Sequence, residues 1–83
     1  MIRVVPIDQV VPLKDSSSYG IRKMVAVLQK QGQIEPLQVH PIESDGEKFI
    51  VFEQDAWANE IVFAARALEW PTLLVGITDT YEY

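Results

Sequence analysis

Residues 31–41 read QGQIEPLQVHP and contain the clearest local structure signals of the chain. The residues before Gly32 have helical periodicity, and glycine can adopt the left-handed conformation that ends a helix without a Cβ penalty. Pro36 disfavours helical geometry in the residue before it, so the chain is expected to continue in an extended form. Leu37 and Val39 then alternate with polar residues, at the period of a half-buried strand. The stretch therefore predicts a helix that ends at glycine and turns into a short strand.

Outward from this stretch, the sequence predicts about four strands and two main helices. The apolar residues from Ile21 onward recur at i, i+3, i+4 and i+7, as in an amphipathic helix. Asp55 is expected to be the N-cap of the second helix, which Trp70 and Pro71 would end. The expected elements are a strand at 2–7, an extended piece at 10–11, a polar loop at 14–20, a helix at 21–31, the strand after Pro36, an Asp-Gly hairpin turn at 43–46, a strand buried on both faces at 48–52, a helix at 55–70 and a strand at 72–77.

The order and the length of these elements predict one small domain. Strands and helices follow one another as strand, helix, strand, strand, helix, strand, which is typical of an α+β fold with a mixed sheet. Because 83 residues form a single modest core, we expect the domain to cover 1–83.

The composition excludes several classes of site. The chain has no cysteine and one histidine, which rules out disulfides, thiolate zinc sites and multi-histidine metal sites. No apolar run approaches the ~20 residues of a membrane span, and Met1-Ile2-Arg3 does not begin a signal peptide. We therefore expect a cytoplasmic protein without a membrane segment.

The net charge of −5 argues against direct nucleic-acid binding by this domain alone. Proteins that bind nucleic acids draw most of their affinity from basic contacts to phosphates. The basic grouping of this chain lies on or near the first predicted helix, where a solvated helix face explains it. Its members are Lys14, Arg22, Lys23 and Lys30.

The sequence resembles the N-terminal domain of ParB, the chromosome- and plasmid-partition protein. The resemblance is carried, in family order, by VPIDQVVP at 5–12, QGQIEPLQV at 31–39, FIV at 49–51, the alanine-rich second helix and WPTLLV at 70–75. It implies a ParB/sulfiredoxin-like fold, whose members bind nucleotides, act as kinases or have been described as nucleases. The sulfiredoxin reaction is excluded here, since its attacking residue is a cysteine.

The chain departs from this family at the phosphate-binding motif. The family usually has a Gly-Glu-Arg-Arg or Gly-His-Arg motif after the third strand, where glycine and arginine hold phosphate at a helix N-terminus. The corresponding residues 53–56 read EQDA, and the family's arginine before the first helix is replaced within 16–19, which reads SSSY. Two carboxylates would repel a phosphate at this position. The resemblance therefore predicts a scaffold that has lost the nucleotide phosphate site.

Two functions follow from these observations. The first is a protein-binding or adaptor module without enzymatic activity, cofactor or metal, which acts in DNA partition or regulation with an unknown protein partner and is free to form a homo-oligomer. The alternative is a residual nucleotide- or metal-dependent enzyme, nuclease-like or NTPase-like, of the same superfamily. The candidate ligand-binding residues are Gly20, Gln33, Glu35, Glu53, Gln54 and Asp55, and the candidate partner-binding residues are Trp57, Tyr81 and Tyr83.

Other interpretations of single residues have simpler explanations. Glu53, Asp55 and Glu60 could hold magnesium through carboxylate oxygens, but helix capping and solvation explain them as well. The one histidine, His40, is expected to be an ordinary strand residue rather than an acid or base. For the two tryptophans, Trp57 and Trp70, packing at the core or its edge is the expected role.

Overall fold

The computed structural model of the chain describes residues 2–33, 35–42, 45–51 and 57–78. These ranges contain two α-helices and five strands. The strands are β1 (Ile2–Pro6), β2 (Val10–Val11), β3 (Leu37–Ile42), β4 (Asp45–Val51) and β5 (Thr72–Ile77), and the helices are α1 (Ser18–Gln31) and α2 (Ala58–Ala67). A 3-10 turn at Ile7–Gln9 connects β1 to β2.

The five strands form one mixed sheet in the order β1-β5-β3-β4-β2. β1 runs antiparallel to β5, and β3 runs antiparallel to β4. The pairs β5–β3 and β4–β2 are parallel. The α+β class with a mixed sheet is thus confirmed. The strand beyond the predicted four is β2, which the sequence indicated only as a short extended piece.

The core lies between one face of the sheet and the two helices. Residues paired across strands, such as Val5 with Leu73 and Val39 with Val51, point to this face. They belong to one buried cluster with residues of both helices, including Leu28 of α1. Phe49, Ile50 and Val51 are all buried, which confirms that β4 is covered on both faces.

Helix α1 begins three residues earlier than predicted. The side chain of Ser17 accepts a hydrogen bond from the amide of Gly20 at 3.0 Å, so Ser17 is the N-cap. The prediction treated Gly20 as loop because glycine is rare inside helices, but here it lies in the first helical turn. The predicted loop at 14–20 is therefore wrong in its last three residues.

The predicted hairpin between β3 and β4 is confirmed, but half of its predicted turn belongs to a strand. Asp45 and Gly46 lie in β4 rather than in a turn, and Asp45 is the pairing partner of Ile42. Residues 43–44, the other half of the predicted Asp-Gly turn, lie outside the described residues. The cross-strand pairing, rather than the turn preference of the dipeptide, fixes the position of Asp45.

Helix α2 is shorter than predicted at both ends. Its cap position is Trp57, so Asp55, which lies outside the described residues, is not the N-cap. At the other end Glu69 has a φ of 60°. The amides of Glu69 and Trp70 donate to the carbonyls of Arg66 and Ala65, both at 3.0 Å, which is the Schellman pattern. The helix therefore ends through its own backbone hydrogen bonds, before the Trp70-Pro71 pair is reached.

Candidate functional site

A groove of about 490 Å³ lies between α1, α2 and the residues that lead into β3. Apolar side chains form most of its lining, and the polar ones are a lysine, a glutamine and a glutamate. We call it the α1–α2 groove. It is lined by Lys23, Met24, Val27, Leu28, Gly32, Gln33, Glu35, Pro36, Leu37, Trp57 and Ile61. Its volume lies within the range of about 300–1,000 Å³ that is common for ligand sites.

The glycine-to-proline turn forms one wall of this groove. Gly32 has a φ of 70°, as a glycine C-cap predicts, but its ψ of −169° is extended rather than left-handed helical. Its amide donates to the carbonyl of Leu28 at 2.8 Å, which closes the last turn of α1. Two candidate ligand residues, Gln33 and Glu35, line the groove together with Pro36. Residues from the stretch 31–41 therefore form part of the groove lining.

The side chain of Gln33 is occupied by backbone hydrogen bonds. Its Nε2 donates to the carbonyls of Leu74 at 2.7 Å and Glu35 at 3.0 Å, and its Oε1 accepts from the amide of Leu74 at 2.9 Å. The side-chain amide of Gln33 thus pairs with the backbone of β5 in the way that a neighbouring strand would, just before β3 begins. Both protons of Nε2 are already donated, so a ligand could bind the side chain of Gln33 only by donating a hydrogen bond to the second lone pair of Oε1. The ligand-binding role of Gln33 stays a prediction.

Trp57 stands at the mouth of the groove. It is 49% exposed, so of the expected positions, the core or its edge, the core interior is excluded. Trp70 is partly buried and packs against the core as expected. The Nζ atom of Lys23 lies 5.9 Å from the centre of the Trp57 ring, within cation–π range. Val27, 38% exposed, lies on the same side of α1 one turn further on. An aromatic ring, a cation and an aliphatic side chain therefore meet at the groove opening.

A second cluster joins the loop before α1 to the start of α2. Asn59 is 6% exposed, and its Oδ1 accepts from the amides of Leu13 at 2.7 Å and Lys14 at 3.3 Å. Its Nδ2 donates to the carbonyl of Lys14 at 2.6 Å and to Oγ of Ser16 at 2.8 Å. Asn59 was not among the residues singled out from the sequence. The sequence could have pointed to Asn59, because it is a polar residue among the mainly apolar residues at the start of the second helix.

Glu60 and Gly20 complete this cluster. Oε1 of Glu60 accepts from Oγ of Ser16 at 3.3 Å, while Oε2 is buried and has no hydrogen-bond partner among the described residues. A Cβ on Gly20 would lie 3.2 Å from Oγ of Ser17 and 3.5 Å from Cγ of Glu60. The loop before α1 and the start of α2 therefore meet at this cluster. This junction includes Gly20 but not the other candidate residues that the structure describes.

Several candidate residues cannot be placed. The candidate ligand residues Glu53, Gln54 and Asp55 and the candidate partner residues Tyr81 and Tyr83 lie outside the described residues. Among the described residues, no group of three histidines or acidic residues could hold a metal ion. Of the three residues that could hold magnesium, Glu53, Asp55 and Glu60, the structure describes only Glu60.

The remaining special residues have ordinary surroundings. His40 lies in β3, and its Nδ1 is 3.3 Å from Oγ1 of Thr78. Thr78 also donates from its backbone amide to the carbonyl of Val39 at 3.1 Å, which extends the contact between β5 and β3. Within the described ranges, neither helix is long and apolar enough to cross a membrane.

Comparison with known proteins shows the fold. No protein-family model matches the chain, and no curated protein matches it significantly in sequence. Among solved structures, it is similar to the C-terminally truncated chromosome-partitioning protein ParB from Caulobacter crescentus, complexed with CTP-γ-S, with a TM-score of 0.77 and 13% identity over 99% of this chain. It is also similar to sulfiredoxin from Arabidopsis thaliana, with a TM-score of 0.72 and 16% identity over 95% of this chain.

The two matched proteins differ in how much of their length the chain accounts for. It spans 46% of the ParB structure and 85% of the sulfiredoxin structure. At these identities the likeness concerns the fold alone. The ParB/sulfiredoxin-like fold that the sequence predicted is confirmed.

Proposed function

We propose that the chain is a protein-binding module on a ParB/sulfiredoxin-like scaffold and that its α1–α2 groove receives apolar side chains of a protein partner. In this proposal the scaffold has lost nucleotide binding and serves as a non-enzymatic adaptor, in DNA partition or its regulation. The observation that carries it is the half-exposed Trp57 at the mouth of an apolar groove. Tryptophan is one of the residue types enriched among the few residues that dominate binding at protein interfaces.

The sequence of the phosphate region supports the same proposal. Residues 53–56, EQDA, contain neither the glycine nor the arginines with which the related family holds phosphate. The groove itself offers one lysine, Lys23, against one glutamate, Glu35, and otherwise mainly apolar side chains. Such a lining favours an apolar anchor over a triphosphate, which needs several cationic or backbone donors.

Binding should depend on Trp57. A peptide selected from a display library against the purified chain serves as the probe. We expect Trp57→Ala to weaken its binding by about tenfold or more, since truncation of a central aromatic anchor removes its contact area. The matched control is Val4→Ala, because Val4 is 64% exposed on β1, outside the groove. Isothermal titration calorimetry measures both affinities, and urea unfolding verifies that both variants are folded.

Two outcomes would contradict the proposal. One is that the selected peptides bind Trp57→Ala as well as the original chain. The other is that Val4→Ala loses binding to the same degree, which would place the contact on the opposite face of the sheet. Val27→Ser, a second groove variant at a partly exposed position, separates a lost contact from a folding defect.

A nucleotide-dependent enzyme is the second candidate function. It is favoured by the pairing of Lys23 with the Trp57 ring, since a cation beside an exposed aromatic face suits a phosphate and a base. The similar ParB structure is complexed with CTP-γ-S. Titration of the labelled chain with CTP or ATP and magnesium, followed by NMR, distinguishes the two. Shifts at Gln33, Glu35 and Trp57 would contradict the adaptor proposal, whereas no shift at about millimolar nucleotide would contradict the enzyme.

A further inference from the structure

Helix α1 is basic in an acidic protein. It contains three of the seven basic residues of the chain, Arg22, Lys23 and Lys30, and none of the twelve acidic ones. The chain as a whole carries a net charge of −5. No acidic residue occurs between Asp15 and Glu35, so the positive potential of the helix is not neutralised along its own sequence. Charge is therefore segregated onto the helix that forms one side of the groove.

The exposed side of α1 combines these charges with apolar groups. Tyr19, Lys23, Val27 and Lys30 follow at i, i+4, i+8 and i+11, a spacing that places them along one side of a helix. All four are exposed, Tyr19 by 70%. Lys23 and Val27 also line the α1–α2 groove. The basic face and the apolar groove are consequently one continuous surface.

Among the described residues, the other elements around the groove contribute one opposing charge to its lining. From α2, the lining residues are Trp57 and Ile61, both uncharged, and from the turn before β3 the charged one is Glu35. Glu35 belongs to the segment between α1 and β3, whereas the three cations are on α1. A partner carboxylate would thus be attracted to the α1 side of the groove and repelled at the Glu35 side. This asymmetry gives a bound segment a preferred orientation.

We infer that the partner contributes an acidic peptide segment, with apolar side chains in the α1–α2 groove and carboxylates beside Lys23 and Lys30. This inference rests on the proposed protein-binding function and names the chemistry of the partner. A nucleic acid shares the negative charge, but it offers a phosphate backbone rather than the aliphatic anchors that the apolar lining of the groove accepts.

The test uses peptides in which only charge varies. The probe is a display library of peptides of about 15 residues, with two leucines fixed four positions apart and the surrounding positions randomised among glutamate, glutamine and lysine. Selection on the full chain is expected to enrich glutamate. Affinity for the best peptide should fall by about fivefold or more as salt rises from about 0.05 to 0.3 M, because screening weakens exposed charge pairs.

A pair of charge variants locates the effect. Lys23→Gln together with Lys30→Gln should weaken the best glutamate-rich peptide by at least about fivefold, roughly the effect of losing one or two exposed ion pairs. The matched control is Arg3→Gln together with Lys48→Gln, which removes the same charge from exposed positions on β1 and β4. The control should leave the affinity unchanged. Equal weakening by both double variants would overturn the inference.

The outcomes separate this inference from the function on which it rests. If no peptide of any charge is selected, the protein-binding proposal fails and the inference fails with it. If selected peptides bind the groove but are neutral or lysine-rich, only the acidic partner is refuted. A single-stranded DNA of about 20 nucleotides serves as a competitor. If this DNA displaces the peptides, and if the Lys23→Gln, Lys30→Gln double variant no longer binds it, the exposed basic side of α1 is a nucleic-acid site. That result would overturn the inference.

Discussion

At the scale of single residues, the φ of 60° at Glu69 has a measurable cost. Left-handed backbone costs an ordinary residue about 1–2 kcal/mol, and glycine avoids this penalty at the position after a helix C-cap. We expect Glu69→Gly to stabilise the fold by about 0.5–1 kcal/mol, since part of the gain is lost to the greater freedom of glycine in the unfolded chain. Thermal unfolding measures the effect, with Glu69→Ala as the matched control. Equal stability of the two variants would contradict this account of the helix end.

Gln33 is expected to act mainly as a backbone partner of β5. Gln33→Ala leaves the amide and the carbonyl of Leu74 without the partners that they have in the structure. We expect a loss of about 1–3 kcal/mol in the free energy of unfolding. Hydrogen exchange should quicken at the Leu74 amide in particular. Gln29→Ala, on the exposed face of α1, is the control and should change neither quantity. Unchanged exchange at Leu74 in Gln33→Ala would contradict the structural role.

Gly32 and Gln33 show what the sequence could and could not predict at this scale. The positive φ of Gly32 was predictable, because it depends on the glycine and its helix alone. The role of Gln33 depends on Leu74, which is 41 positions away in the sequence. Gln33, chosen from the sequence as a candidate ligand residue, lines the groove; its ligand-binding role stays a prediction, and its hydrogen-bond partners could not be predicted from the local sequence.

At the scale of elements, Asn59 fastens the loop before α1 to the start of α2. It makes four hydrogen bonds to Leu13, Lys14 and Ser16. We expect Asn59→Ala to lower the free energy of unfolding by about 1–3 kcal/mol, because backbone groups of the loop lose their partners. Urea unfolding is the measurement. Ser16→Ala, which removes a smaller part of the cluster, should cost clearly less. If the two variants cost the same, Asn59 does not organise the loop.

Element boundaries were predicted less well than element types. Every predicted helix and strand is present in the described residues, but α1 begins at Ser18 and α2 runs from Ala58 to Ala67. The errors have local causes: a serine cap placed Gly20 inside a helix, and a Schellman turn ended α2 without glycine or proline. The cap is a hydrogen bond from a backbone amide to a side chain, and the Schellman turn consists of backbone hydrogen bonds; the apolar periodicity encodes neither.

At the scale of the whole molecule, the strand order brings the first and the last strand together. β1 pairs with β5, and β3 lies between β5 and β4. Local sequence patterns do not predict this order, because strand pairing depends on contacts far apart in sequence; the family resemblance supplied the fold instead. The same arrangement sets α1 beside α2 on one face of the sheet and so creates the α1–α2 groove. The groove, rather than any single motif, is the central element of the proposed function.

The most direct test of this account is an NMR titration of the isotopically labelled full chain with the best peptide selected against it. Protein binding through the groove predicts that the amide shifts cluster at Met24, Val27, Leu37 and Ile61, and that the Trp57 indole signal moves with them. At an equal peptide concentration that does not saturate the original chain, the Trp57→Ala variant should show much smaller shifts, in keeping with its weaker binding. Shifts centred instead on Ile2 and Val4 of β1, outside the groove, or an unchanged response after loss of Trp57, would contradict the central claim.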